Sequence, residues 1–174
     1  MDPIDGTANF IAGIPYFAVS LAREANGRIV EGYVYNPISE ELYCATTDDA
    51  RAYLNGKPIA LAHTDRIQDS VVAFGVSANK AAMDAYYDRW RGLLDGCKKA
   101  LAVIVPSLTL CNVARGRLDA FIDSACSMEG QAAASLILAK AGGQLRDYDL
   151  SPFDHTTVGA VAANPHLLPT IARR

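Results

Sequence analysis

Residues 2–7 read Asp2-Pro3-Ile4-Asp5-Gly6-Thr7, the densest concentration of chemically useful groups in this 174-residue chain. Two carboxylates three positions apart flank a proline. Proline fixes its own φ and biases the residue before it towards extended backbone, which predicts a tight turn here. Such a turn gathers both carboxylates on one side, with the Ile4 carbonyl between them. Hard oxygen donors of this kind suit Mg²⁺, which is held by one or two carboxylates together with substrate phosphate. Gly6 lets the backbone approach a ligand closely, and Thr7 offers a hydroxyl and an N–H to an anion. A helical turn at Ala8-Asn9-Phe10 would aim further free N–H groups at the same anion. A bare Asp-Pro-x-Asp is also an ordinary solvated turn. The unbroken continuation into Asn9-Phe10 favours the ligand reading.

The elements that must position these groups are legible in outline. Alternating residues over 16–23 and 28–35 flank Asn26-Gly27 and predict a β-hairpin. Short strands are expected over 41–45 and 52–54, the second followed by the turn Asn55-Gly56-Lys57-Pro58. Together they form an antiparallel meander with helices on one face. Further strands are expected over 70–76, 101–105, 118–122 and 158–162. Helices are expected over 81–94, 109–114, 131–141 and 166–172, the third closed by Gly142-Gly143. Met83, Tyr86, Tyr87, Trp90 and Leu93 or Leu94 recur at helical spacing and read as core. The sum is an α/β layered sandwich with one continuous core and no internal repeat.

Net charge is −3 at pH 7, which gives no basic footprint for nucleic acid or an anionic membrane surface. A phosphate group would therefore be drawn in by a local positive centre, and a bound metal supplies one. Cys44, Cys97, Cys111 and Cys126 show no CxxC or zinc spacing. With no signal peptide or long apolar span they read as reduced thiols of a cytoplasmic protein. His63, His155 and His166 are scattered near turns. Ser20, Ser77 and Ser107 lack a nucleophile-elbow context, and no GxxxxGK[ST] loop is present.

The run Asp2 to Phe10 resembles the first signature of the inositol monophosphatase family, Mg²⁺-dependent phosphatases of small phosphorylated metabolites. The likeness continues through Gly13 to Ser20, Gly116 to Phe121, Ala132 to Gly143, Pro152-Phe153-Asp154 and Ala162 to Pro165. It implies an α-β-α-β sandwich, with residues 1–174 forming a single domain. Family members carry a segment before the signature that supplies a glutamate ligand, so the resemblance also implies an incomplete N-terminus. Carried over position by position, it implies Asp2 as a bridging metal ligand and Asp5 as a ligand of a second ion. The Ile4 carbonyl would be a further metal ligand. Gly6 and Thr7 would contact phosphate, so that Asp2, Asp5 and Thr7 form the catalytic set. The implied cofactor is two or more Mg²⁺ ions, with Mn²⁺ as a substitute. The implied partner is a small phosphorylated metabolite, inositol monophosphate or a related polyol or sugar phosphate. The implied assembly is a homodimer.

Two departures stand out. The family's second signature is a Trp-Asp pair opening an Ala-rich helix. Counting back from Ala141-Gly142-Gly143 places Glu129 and Gly130 at those positions, so a metal-binding carboxylate is missing. Glu129 either reaches the metal itself or simply complements the helix dipole. The family's Gly-Ser substrate wall is replaced by the apolar run 103–107. Asp123 falls where a carboxylate binds substrate hydroxyls, and a solvated loop aspartate is the alternative. Three readings follow: the phosphatase, a non-catalytic binding or scaffold relative, and a nucleotide bisphosphatase relative.

Overall fold

Asn26-Gly27 and Asn55-Gly56 both adopt positive φ at each residue, 53° and 73°, then 48° and 77°, as a type I′ hairpin turn requires. The first joins strands β2 (Ala18–Ala25) and β3 (Arg28–Asn36), and the second joins β5 (Tyr53–Leu54) and β6 (Lys57–Pro58). With β1 (Asp2–Asp5) and β4 (Glu41–Thr46) they form an antiparallel sheet in sequential order, β1 to β6. A computed structural model describes residues 1–102, 105–153 and 159–173, with Met128 and Glu129 described by backbone alone.

The second sheet is mixed. Its strands are β7 (Val71–Gly75), β8 (Lys99–Ala102), β9 (Ala120–Asp123), β10 (Gln144–Arg146) and β11 (Ala160–Ala163), in the order β10-β11-β9-β7-β8. β7 lies parallel to both β8 and β9, and β11 runs antiparallel to β9 and β10. Helix α1 (Thr7–Ile11) follows β1, and α2 (Lys80–Gly96) connects β7 to β8. Helices α3 (Pro106–Ala114) and α4 (Met128–Lys140) fill the space between the sheets, and α5 (Leu168–Ile171) comes last.

Alternation along the strands divides the buried side chains into two clusters, one on each face of the second sheet, where the sequence suggests one core. Ala73, Phe121 and Ala162 face the interior layer with Leu108, Leu110, Ile137 and Leu138 of α3 and α4, and Val34 and Tyr43 of the first sheet. Val72, Ile122, Val161 and Ala163 face outward against Tyr86, Trp90 and Leu93 of α2, and Ile171 of α5. The layers therefore run β-α-β-α, the expected sandwich. α4 presses on β3 so closely that a Cβ on Gly32 would lie 3.0 Å from the Ala133 Cα.

The outer face of the first sheet has no helix on it among the described residues. Val19, Leu21, Tyr35 and Leu42 stay exposed there, and Val19, Tyr35 and Leu42 are successive cross-strand neighbours.

Several boundaries differ from expectation. The Asp2–Asp5 turn is a strand, because Ser20 and Ala18 of β2 offer it a ladder. It is an edge strand, where a proline without an N–H is tolerated. The strand expected over 101–105 runs instead from Lys99 to Ala102, and α3 starts at Pro106 rather than Thr109. Proline is a favoured first helical residue as well as a strand breaker. Met83 is exposed rather than core, and a 3₁₀ turn at Ile67–Asp69 and strand β10 have no local sequence signal. Val103, Ile104 and His155 lie outside the described residues.

Candidate cation and phosphate site

β1 delivers Asp2 and Asp5 to the edge of the first sheet, and the chain then turns sharply at Gly6 with φ of 91°. That left-handed conformation favours glycine. Space demands it too, since a Cβ on Gly6 would sit 2.8 Å from Val105 Cγ2. The Gly6–Thr7 loop is thereby drawn against the segment that opens α3. Asn9, buried, donates from Nδ2 to the Tyr16 carbonyl at 2.9 Å and fixes the far side of the loop.

Asp5 is buried. Its Oδ2 accepts the Ser107 N–H at 2.8 Å, one of the orphan donors at the N-terminus of α3. Burial pushes its carboxyl up to about 6, opposed by hydrogen bonding from Ser107 and aided by the charge of Asp2. Taking a carboxylate out of water disfavours its charged form. A positive ion beside it restores that form.

Asp2 is half-buried, and its Oδ1 accepts the Ile4 N–H at 3.1 Å. Thr7 Oγ1 donates to the Ile4 carbonyl at 2.9 Å. The three oxygen groups singled out in the sequence thus lie on one short, internally bonded segment.

Gly130, in the first turn of α4, faces the same place. A Cβ there would lie 3.9 Å from Asp5 Oδ1 and 3.9 Å from Pro106 Cβ, ordinary contact distances. Position 130 is therefore where a third carboxylate would reach this crevice, and this chain has none there. The side chain of Glu129, the other candidate for that role, lies outside the described residues.

Asp123 ends β9, which packs against α3. Its Oδ1 accepts the N–H groups of Ala125 at 2.7 Å and Cys126 at 3.1 Å. Burial raises its carboxyl above the ordinary aspartate value. A depression of about 210 Å³ opens beside it, lined by Gly75, Val76, Pro106, Asp123, Ala125 and Cys126. Burial, aided by the charges of Asp123 and Asp5, pushes the Cys126 thiol well above its ordinary value. Asp5 thus meets the start of α3 at Ser107, and Asp123 shares its depression with Pro106. Asp123 also ends β9, parallel to β7, at the carboxyl end where open α/β sheets bind ligands.

Asp2, Asp5 and the Ile4 carbonyl are hard oxygen donors, the chemistry that suits a hydrated magnesium ion. Among the described residues no group of three or more His, Cys, Asp and Glu converges to hold a metal. The described side chains alone therefore do not form the paired-ion cage that two-metal hydrolysis uses.

Sequence reasoning overlooked the Ser107 N–H and the glycine at position 75. Pro106 is a usable signal for the first, since a helix opening there leaves the next N–H without an intrahelical partner. The second has no local signal, because its meaning lies wholly in what it touches.

The inositol monophosphatase family model matches residues 1–174. Inositol monophosphatase 2 of Solanum lycopersicum is 36% identical over 170 residues, which are 96% of this chain and 64% of that protein. Nus factor SuhB of Pasteurella multocida is 30% identical over 175 residues, covering all of this chain and 65% of the relative. The crystal structure of the extragenic suppressor protein suhB from Bartonella henselae superposes with a TM-score of 0.92 at 32% identity, over 98% of this chain and 66% of that one. The chain thus spans a little under two thirds of the length of these relatives. With the layered architecture and the Asp-Pro-Ile-Asp-Gly-Thr crevice described above, the match over its whole length settles kinship: this chain belongs to the inositol monophosphatase family.

Proposed function

We propose that this chain carries the cation- and phosphate-binding core of a phosphatase acting on monoesters of small polyols or sugars, with inositol monophosphate as the first substrate to test. The observation that carries this reading is the position of Asp5. It is buried against the start of α3, contiguous with Gly6 and Thr7, and has one oxygen turned towards the open position at Gly130. Kinship adds support, since the family is one of generally metal-dependent phosphatases.

Asp2, Asp5 and the Ile4 carbonyl would hold magnesium. When bound, the ion supplies positive charge against the transferring phosphoryl group, where most of the catalysis of this reaction lies. The Gly6 and Thr7 N–H groups orient the phosphate. The Thr7 hydroxyl, now donating to the Ile4 carbonyl, turns its proton to a phosphate oxygen when an ester binds. Asp123, held by two N–H donors, accepts hydroxyls of the polyol. The buried wall of α3 limits the entry of bulk water.

The test is phosphate release from inositol 1-phosphate with and without magnesium, beside Asp5→Ala. Magnesium-dependent release that disappears in the variant supports the reading. Release indifferent to the substitution overturns it.

A second reading is a binding relative without turnover, favoured by the missing carboxylate at Gly130 and by relatives named Nus factor. Ester binding measured by calorimetry with no phosphate release would select it.

A further inference from the structure

The last residues of β7 and β9, Gly75 and Asp123, are direct partners in the parallel ladder. Paired positions project to the same side of a sheet, so any side chain at 75 competes with the Asp123 carboxylate for space. A Cβ on Gly75 would lie 2.8 Å from Asp123 Cγ and 3.2 Å from Oδ1, and would overlap Oδ2. Gly75 is not among the residues with positive φ, so its backbone accommodates any residue. What the glycine provides is room. The carboxylate is not free to swing aside, because its Oδ1 is tied to the Ala125 and Cys126 N–H groups. Displacing it breaks both bonds and turns its oxygens away from the depression that Gly75, Pro106 and Asp123 line together. Pro106 in turn precedes Ser107, which holds Asp5.

We propose that Gly75 is a specificity-determining positioning residue. Its missing side chain keeps the Asp123 carboxylate aimed into the depression beside Asp5, where it accepts hydroxyls of a polyol phosphate. This rests on the phosphatase reading above. Gly75 touches no reacting atom and acts through Asp123, so it governs which ester is preferred rather than the rate of phosphoryl transfer.

A double-mutant cycle tests it. Wild type, Gly75→Ala, Asp123→Ala and the double variant are compared by calorimetric affinity for inositol 1-phosphate in magnesium. The same four give a KM ratio for inositol 1-phosphate over 4-nitrophenyl phosphate, which has no neighbouring hydroxyls. Gly75→Ala is expected to weaken inositol 1-phosphate about tenfold, the order of a single lost hydrogen bond, and to raise the ratio accordingly. Asp123→Ala should do the same, and the double variant should be no worse than Asp123→Ala. Urea unfolding of all four separates a lost fold from a lost contact. An unchanged affinity and ratio in Gly75→Ala, or its full effect persisting without the Asp123 carboxylate, overturns the assignment of Gly75 alone. A wild type that binds neither ester overturns the phosphatase reading itself.

Discussion

Ser107 hands its backbone N–H to the Asp5 carboxylate across 102 positions of sequence, at 2.8 Å. The group best placed to hold a cation is thus also the acceptor that completes the start of α3. Asp5→Ala strands that buried donor and should destabilise the fold by about 1–3 kcal/mol, while abolishing magnesium binding. Asp5→Asn keeps an oxygen for Ser107, so it should retain most of the stability and still lose the cation. Urea unfolding and magnesium calorimetry on the two variants separate the roles.

Stability without magnesium should depend on pH through the same carboxyl. Its folded value, about 6, lies above the ordinary 3.8, so the folded state holds the proton more tightly than the unfolded chain. The stabilisation is complete below about 3.8 and is lost as pH rises through about 6. The gap between those two values corresponds to on the order of 3 kcal/mol. Asp123, also raised by burial, contributes with the same sign. Magnesium opposes the trend, because it binds the charged form. Urea midpoints between pH 4 and 7 should fall without the ion, fall less with it, and vary less in Asp5→Asn.

Gly130→Asp should tighten magnesium. A Cβ fits there at 3.9 Å from Asp5 Oδ1, and supplying a missing donor group is expected to strengthen binding about 10–100-fold, by analogy with losses from supporting shells. The added negative charge should weaken the ion-free fold. Calorimetry and thermal melts with and without magnesium read both effects, and an unchanged affinity would show that position 130 does not reach the ion.

Gly32→Ala tests the contact between β3 and α4. The new Cβ meets the backbone of Ala133, with carbon atoms at 3.0 Å, and neither side is a flexible tip. Overpacking of this kind costs about 1–3 kcal/mol, to be read from the urea midpoint.

The outer face of the first sheet should drive self-association. Val19, Leu21, Tyr35 and Leu42 form an exposed apolar stripe, and such patches mark contact or aggregation surfaces. Light scattering should show a species larger than the monomer, and Leu21→Lys should reduce it.

Local chemistry was legible in the sequence, and distant pairing was not. The two Asn-Gly turns, the Ala-rich helix and the Asp-Pro-Ile-Asp-Gly-Thr run each announce themselves within a few residues. β1 hides because aspartate and proline are poor strand formers, and only its pairing with β2 makes it one. The alternation of β2 predicts two faces, yet nothing local says which one α4 covers. Asp123 is visible as a carboxylate after a strand, whereas its confinement by Gly75 depends on two chain segments meeting side by side. Glu129 is a metal-ligand candidate by its place in the sequence, and its side chain lies outside the described residues.

Asp2 and Asp5 come from the margin of one sheet and Asp123 from the end of another, and the two sheets share no strand. A divalent ion held by Asp2, Asp5 and the Ile4 carbonyl would fasten the margin of the first sheet and, through the Asp5–Ser107 bond, the start of α3, beside a seam that backbone pairing leaves open. At a hundredfold excess over its dissociation constant it would add about 2.7 kcal/mol to cohesion. Magnesium supply would then govern how long the molecule survives.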